Sequence, residues 1–205
     1  MMSVIAAYNS KAKERTWLRS PLALLSIAVM ACGFILLGQG LWIHTKAYTA
    51  QILLERAFTQ SIATGEKIKP WSWADTWPVA RIEAPRLAAS AIALNGASGQ
   101  ALAFGPGHLQ NTPQAGEQGT AIYAAHRDTH FAFLKDIEKD DLIRITRNDG
   151  KTYTYRATQM SVARWDEPQI DVLASGSHLV LATCYPFDAV TQGPLRYLVY
   201  ADLAE

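Results

Sequence analysis

The sequence predicts an all-β domain, a closed barrel or a sandwich, carried behind one uncharged N-terminal helix. Three observations support that expectation. From Val79 onward the chain breaks into short apolar or alternating runs separated by turn residues, the pattern of a barrel or sandwich. Asn148-Asp149-Gly150 divides two of those runs, and Asp-Gly readily takes the positive φ that a tight hairpin turn demands. No charged side chain occurs from Ser20 through Ile43, whereas Lys11, Lys13, Arg15 and Arg19 crowd the residues before it. With 205 residues, 49% apolar side chains and a net charge of +1, the chain suits one moderate domain plus a short appendage. That balance lacks the basic excess a nucleic-acid partner needs.

Pro21 to Ile43 would span roughly 33 Å as a helix, enough to cross a bilayer. The basic residues ahead of it, against only Lys46 close behind, put residues 1–20 in the cytoplasm and the bulk of the chain outside. A cleaved signal peptide has a shorter apolar region. Here Phe34-Ile35-Leu36-Leu37 and Leu41-Trp42-Ile43 carry the run past Cys32, so residues 21–43 read as an uncleaved anchor with Cys32 facing lipid or helix. Residues 44–78 read as a stalk and linker. Tyr48 to Ile62 keep a helical apolar spacing, expected to lift the domain off the membrane, and Gly65 to Pro70 end it. In the segment from Pro70 to Pro78, Trp71, Trp73 and Trp77 suit either the membrane interface or a belt packed on the domain.

Residues 79–205 form the domain. Its expected strands are Val79–Ile82, Ala91–Leu94, Thr120–Ala124, Leu142–Arg147, Thr152–Met160, His178–Cys184 and Arg196–Asp202, with helical or irregular pieces at Thr129–Asp136 and Glu167–Ala174.

The strand Leu179-Val180-Leu181-Ala182-Thr183-Cys184 stops before Tyr185-Pro186-Phe187, which sets a thiol at the rim of a sheet. Free cysteines are commonly buried and inert. The exported part, however, holds Cys184 with no second cysteine, and a lone thiol in an oxidising compartment favours chemical use. A nucleophilic thiol needs a proton acceptor nearby. Of five histidines, His44 borders the membrane, His178 begins the cysteine's own strand, and His108 sits in a turn-rich loop. His126 ends an apolar strand as Cys184 does, while His130 is expected in a short helix facing elsewhere. Arg196 opens the next strand after Cys184, where an antiparallel pair would bring it beside the thiol to stabilise an oxyanion.

Val180-Leu181-Ala182-Thr183-Cys184, with His126-Arg127-Asp128 upstream and Arg196 on the following strand, resembles the sortase family. Val180 replaces the first threonine of that family's Thr-Leu-x-Thr-Cys signature. The resemblance covers Val79 to the C-terminus. It implies a closed eight-stranded β-barrel and a membrane-anchored cysteine transpeptidase with Cys184 as nucleophile, His126 as acid and base, and Arg196 at the oxyanion. Thr183 is implied to shape the substrate pocket. The implied partners are a secreted protein ending in a sorting signal and an amine acceptor, and no cofactor or metal is assigned. Trp71-Ser72-Trp73-Ala74-Asp75 and Cys184-Tyr185-Pro186-Phe187 look most like the Gram-negative, marine-proteobacterial class, which implies an inner-membrane anchor and a periplasmic domain. A cysteine hydrolase that releases its acyl group to water, and a membrane-tethered binding module with an inert thiol, are the competing readings.

Overall fold

The computed structural model describes residues 21–167, 170–191 and 193–204, and the side chains of all of these except Ile43 and His44. The basic N-terminus, residues 1–20, lies outside the described residues. The chain divides into two compact units at Tyr48 and Thr49, and helix α1 (Pro21–Thr64) begins in the first and ends in the second.

In the first unit α1 is described from Pro21 onward. Leu22, Leu25, Phe34, Leu37 and Leu41 are all exposed. This is an apolar surface of the kind that meets lipid or a partner. The helix is long and apolar enough to cross a membrane, which is compatible with an anchor.

In the second unit the same helix behaves differently. Leu54 and Phe58 are fully buried with Ile92, Leu94 and Ala101. The Arg81 guanidinium lies 5.1 Å over the Phe58 ring and pairs with Glu55, and Gln51 Nε2 donates to the Phe104 carbonyl at 2.8 Å. Residues 49–64 therefore pack on the barrel wall, which covers their apolar stripe. Two of the linker tryptophans also pack on the domain. Trp71 meets Phe104 edge-on at 4.9 Å, and Trp77 lies against the barrel core with Lys67 5.1 Å above its ring. Trp73 is exposed.

The domain is a closed eight-stranded barrel. Its strands are β1 (Pro78–Ala84), β2 (Ala89–Asn95), β3 (Gly107–His108), β4 (Gly119–Ala124), β5 (Leu142–Arg147), β6 (Thr152–Arg164), β7 (Ser177–Cys184) and β8 (Leu195–Leu203). They close in the order β1-β2-β3-β4-β7-β8-β6-β5. The pairs β2/β3 and β4/β7 are parallel and the others antiparallel. Ile82, Tyr123, Ile143, Ile145, Tyr155, Leu179 and Val199 fill the interior. The buried Tyr155 hydroxyl is satisfied by Gly116 N at 2.7 Å and Ser177 Oγ at 3.0 Å. The β5–β6 hairpin turns at Gly150, where φ is +81°.

One strand, β3, was not among those expected from the sequence. The two-residue strand β3 is too short for any alternation to reveal it. It lies so close to the chain before α2 (Gly99–Phe104) that a Cβ on Gly107 would stand 2.4 Å from the Gly96 carbonyl. The segment 167–174, expected as helical or irregular, is irregular among its described residues. The Asp171 carboxylate accepts the Leu173 amide at 2.9 Å, and the Asp171 and Val172 carbonyls accept from the Thr120 hydroxyl and amide at 2.6 and 3.0 Å. Those bonds take the groups a helix would need. In the segment Thr129–Asp136, a 3-10 helix occupies only Ala132–Asp136.

Phe58→Ala should destabilise the second unit by about 3–5 kcal/mol through the cavity it leaves. Thermal or denaturant unfolding of the detergent-solubilised chain measures this. A loss well under 1 kcal/mol would mean that α1 does not unfold with the barrel.

Candidate active site

Strand β7 lies between parallel β4 and antiparallel β8, and Cys184 is its last residue. Side chains alternate along it. Leu179 and Leu181 enter the barrel core, while Val180 and Ala182 join Ile122 and Leu198 in an outer cluster. By that period Cys184 stands on the outer face, half-exposed, and Thr183 points inward.

Cys184 is the register partner of Arg196 on β8. The next pair along is hydrogen-bonded, Tyr185 N to the Leu195 carbonyl at 3.0 Å. Cys184 and Arg196 thus form a non-hydrogen-bonded pair, the kind with Cα atoms only about 4.5 Å apart and side chains on one face. Arg196 Nη1 donates to the Gly193 and Leu195 carbonyls at 2.9 and 2.8 Å, which orients the guanidinium plane.

On the other flank Ala124 is the partner of Ala182, and Ala125 N reaches the Ala182 carbonyl at 3.2 Å. Continuing that register by two residues sets His126 level with Cys184, on a chain about 4.8 Å to the side. The His126 side chain is exposed, and its carbonyl accepts the Phe131 amide at 3.1 Å. Thr183 is 2% exposed and donates its hydroxyl to the Ala125 carbonyl at 2.7 Å. It faces away from the thiol, and it ties the ends of β4 and β7 one residue short of both His126 and Cys184. Beneath the site Tyr185, Phe187 and Tyr197 pack on one another.

The other histidines separate by environment. His130 lies in the turn before the 3-10 helix, not within a helix. Burial holds its pKa below the ordinary value. His108 is buried on β3 with Nε2 3.0 Å from the Pro113 carbonyl, and burial lowers its pKa too. His178 sits at the opposite end of β7, with Nε2 2.9 Å from the Ser175 carbonyl and Nδ1 2.6 Å from Asp202. These acceptors, the carbonyl first, raise its pKa. The side chain of His44 lies outside those described. Among the described residues, no group of three or more His, Cys, Asp or Glu is placed to hold a metal ion.

One residue near the site carried no sequence signal for its contact. Arg127, directly after His126, donates to the carbonyls of Ala189 and Thr191 in the segment joining β7 to β8.

A thiol at a strand end, with a guanidinium paired on one side and a histidine-bearing chain on the other, is an arrangement suited to acyl transfer. Comparison with known proteins agrees in class. The sortase-domain profile matches residues 82–204, more than half of the chain, and the chain belongs to the sortase family, whose members are cysteine transpeptidases. It is 31% identical over 120 residues to sortase D of Bacillus subtilis (strain 168), an alignment covering 58% of this chain and 60% of that protein. The chain thus spans about three fifths of that relative's length. Among solved structures, sortase A from Corynebacterium diphtheriae shares the fold with TM-score 0.59 and 22% identity, over 76% of this chain and 84% of the other. The Clostridium perfringens sortase D5 transpeptidase does so with TM-score 0.60 and 20% identity, over 76% and 96%.

Thr183→Val should cost about 1–3 kcal/mol, because it leaves the buried Ala125 carbonyl without its donor. Denaturant unfolding reads the loss, and unchanged stability would show that this tie is not made. For His178, a folded pKa raised above 6.5 means its contribution is full below that pH and fades as pH rises through the raised value. In Asp202→Asn, the fall in stability across that window should flatten by under about 1 kcal/mol, the scale of an exposed pair. Unfolding midpoints measured on either side of neutrality check this, and an unchanged slope contradicts it.

Proposed function

We propose that this chain is a membrane-anchored sortase that cuts a sorting signal near the C-terminus of a secreted protein and passes the acyl fragment to an amine. The supporting observation is the register pairing of Cys184 with Arg196, with His126 two residues beyond the end of β4, the other neighbour of the cysteine strand. Cys184 Sγ attacks a backbone carbonyl after a threonine-like residue and loses its proton to His126. The oxyanion that forms is held by Arg196, which carries five N–H donors. His126 then returns its proton to the departing amine as the C–N bond breaks, leaving a thioester on Cys184. An incoming amine gives a proton to His126, attacks the thioester, and releases the thiol. Thr183 serves by aligning the two strand ends. Water in place of the amine would make the same thioester hydrolyse.

The apolar first part of α1 supports an anchor that crosses the membrane once, with the N-terminus in the cytoplasm and the barrel on the far side. The tryptophan-rich linker and the Cys-Tyr-Pro-Phe run favour the Gram-negative class, an inner-membrane anchor and a periplasmic barrel.

The test is incubation of the full chain, in detergent, with a quenched-fluorescence peptide library, with and without hydroxylamine as the amine. Wild type should form an adduct at Cys184, visible by mass, and release hydroxamate when the amine is present. Cys184→Ala should form none, and cleavage that survives this change would end the proposal. Arg196→Ala should lower kcat by about 10²–10³-fold, the usual cost of one oxyanion donor. His126→Ala should likewise cost orders of magnitude, far more than His130→Ala or His108→Ala. If His130→Ala proves the more damaging, the proton carrier is His130.

A further inference from the structure

The segment from Tyr185 to Pro194 connects the cysteine strand to the arginine strand. It leaves β7 beside the thiol and returns beside the guanidinium. Two of its carbonyls, those of Ala189 and Thr191, are taken by one side chain from elsewhere in the chain, Arg127. The Thr191 bond is 3.1 Å long, and both bonds use Nη2. Arg127 is the residue after His126, so one guanidinium spans from the histidine turn to the connection between the other two functional residues.

The two carbonyls flank Val190, whose side chain is 100% exposed. An apolar side chain held wholly in solvent gains nothing from the fold, and a free backbone around it would be loosely ordered. Gripping the carbonyls on both sides fixes that backbone and holds Val190 out at a set position. A charged donor to neutral carbonyls is also among the stronger hydrogen bonds. Lysine, a point charge on a flexible stem, would hold the two acceptors less well.

We propose that Arg127 is a positioning residue that straps residues 189–191 to the histidine turn and so presents Val190 to the peptide substrate. The functional half of this inference rests on the transpeptidase reading above, while the strap itself does not. Residues 189–191 touch the bound peptide, so Arg127 governs its affinity, whereas the reacting groups remain those already named.

The experiment compares the full chain in detergent with Arg127→Gln and Arg127→Lys. Amide hydrogen exchange over residues 187–191 should quicken about tenfold or more in Arg127→Gln, and less in Arg127→Lys, with the amides of 179–182 unchanged. With the peptide library and hydroxylamine, KM should rise about tenfold in Arg127→Gln while kcat stays near wild type, with partial recovery in Arg127→Lys. The histidine limb of the pH profile should not move. Unaltered exchange at 187–191, a rise spread evenly over the barrel, or an unchanged KM would each overturn the proposal. Should wild type turn over no peptide, the transpeptidase reading falls, and the exchange data alone still decide whether the strap exists.

Discussion

Everything at the site depends on β7 pairing with parallel β4 on one side and antiparallel β8 on the other. Parallel pairing makes β4 and β7 end at the same rim, so the chain leaving β4 emerges next to the chain leaving β7. Antiparallel pairing makes β8 begin where β7 ends. A single strand order thus brings the chain carrying His126 to the same rim as Cys184 and Arg196, which lie on consecutive strands. Backbone pairing fixes Cys184 against Arg196, and the bond from Ala125 N to the Ala182 carbonyl holds the chain one residue ahead of His126.

Around that core the structure adds local ties of modest strength. Thr183 joins the two parallel strand ends from inside the barrel, and Arg196 is steadied by carbonyls at the start of its own strand. The two sets of bonds lie on opposite faces of the sheet, so the interior can be packed for stability while the outer face stays open. The outer face also carries an apolar floor of Ile122, Val180 and Leu198, which continues away from the thiol toward a cavity lined by Thr120, Ile170, His178 and Tyr200.

Much of this was legible in the sequence, for identifiable reasons. The hairpin at Gly150 announced itself because one turn type demands one residue pair, and the longer strands did so through composition and punctuation. Cys184 and Arg196 could be paired from chain order, because a short connection between neighbouring strands leaves them antiparallel. The inward direction of Thr183 follows from the two-residue period of a strand, a signal present in the sequence but not used. Other features had no local trace. Strand β3 is defined by its neighbours alone. The helical spacing of Tyr48 to Ile62 was legible, but apolar spacing does not say what covers it. Arg127 meets carbonyls whose position depends on a loop more than sixty residues later, and backbone acceptors leave no mark on residue identity.

The burial of Leu54 and Phe58 on β2 redraws where the catalytic module begins. The family resemblance starts near Val79, yet the folded body extends back to about Thr49. A protease that clipped the chain in the tryptophan-rich linker would strip the buttress and bare Ile92 and Leu94, leaving a sticky fragment prone to clumping. A cut ahead of Thr49 would instead leave Leu54 and Phe58 in place over Ile92 and Leu94, so the two scissile regions would have opposite effects on the barrel.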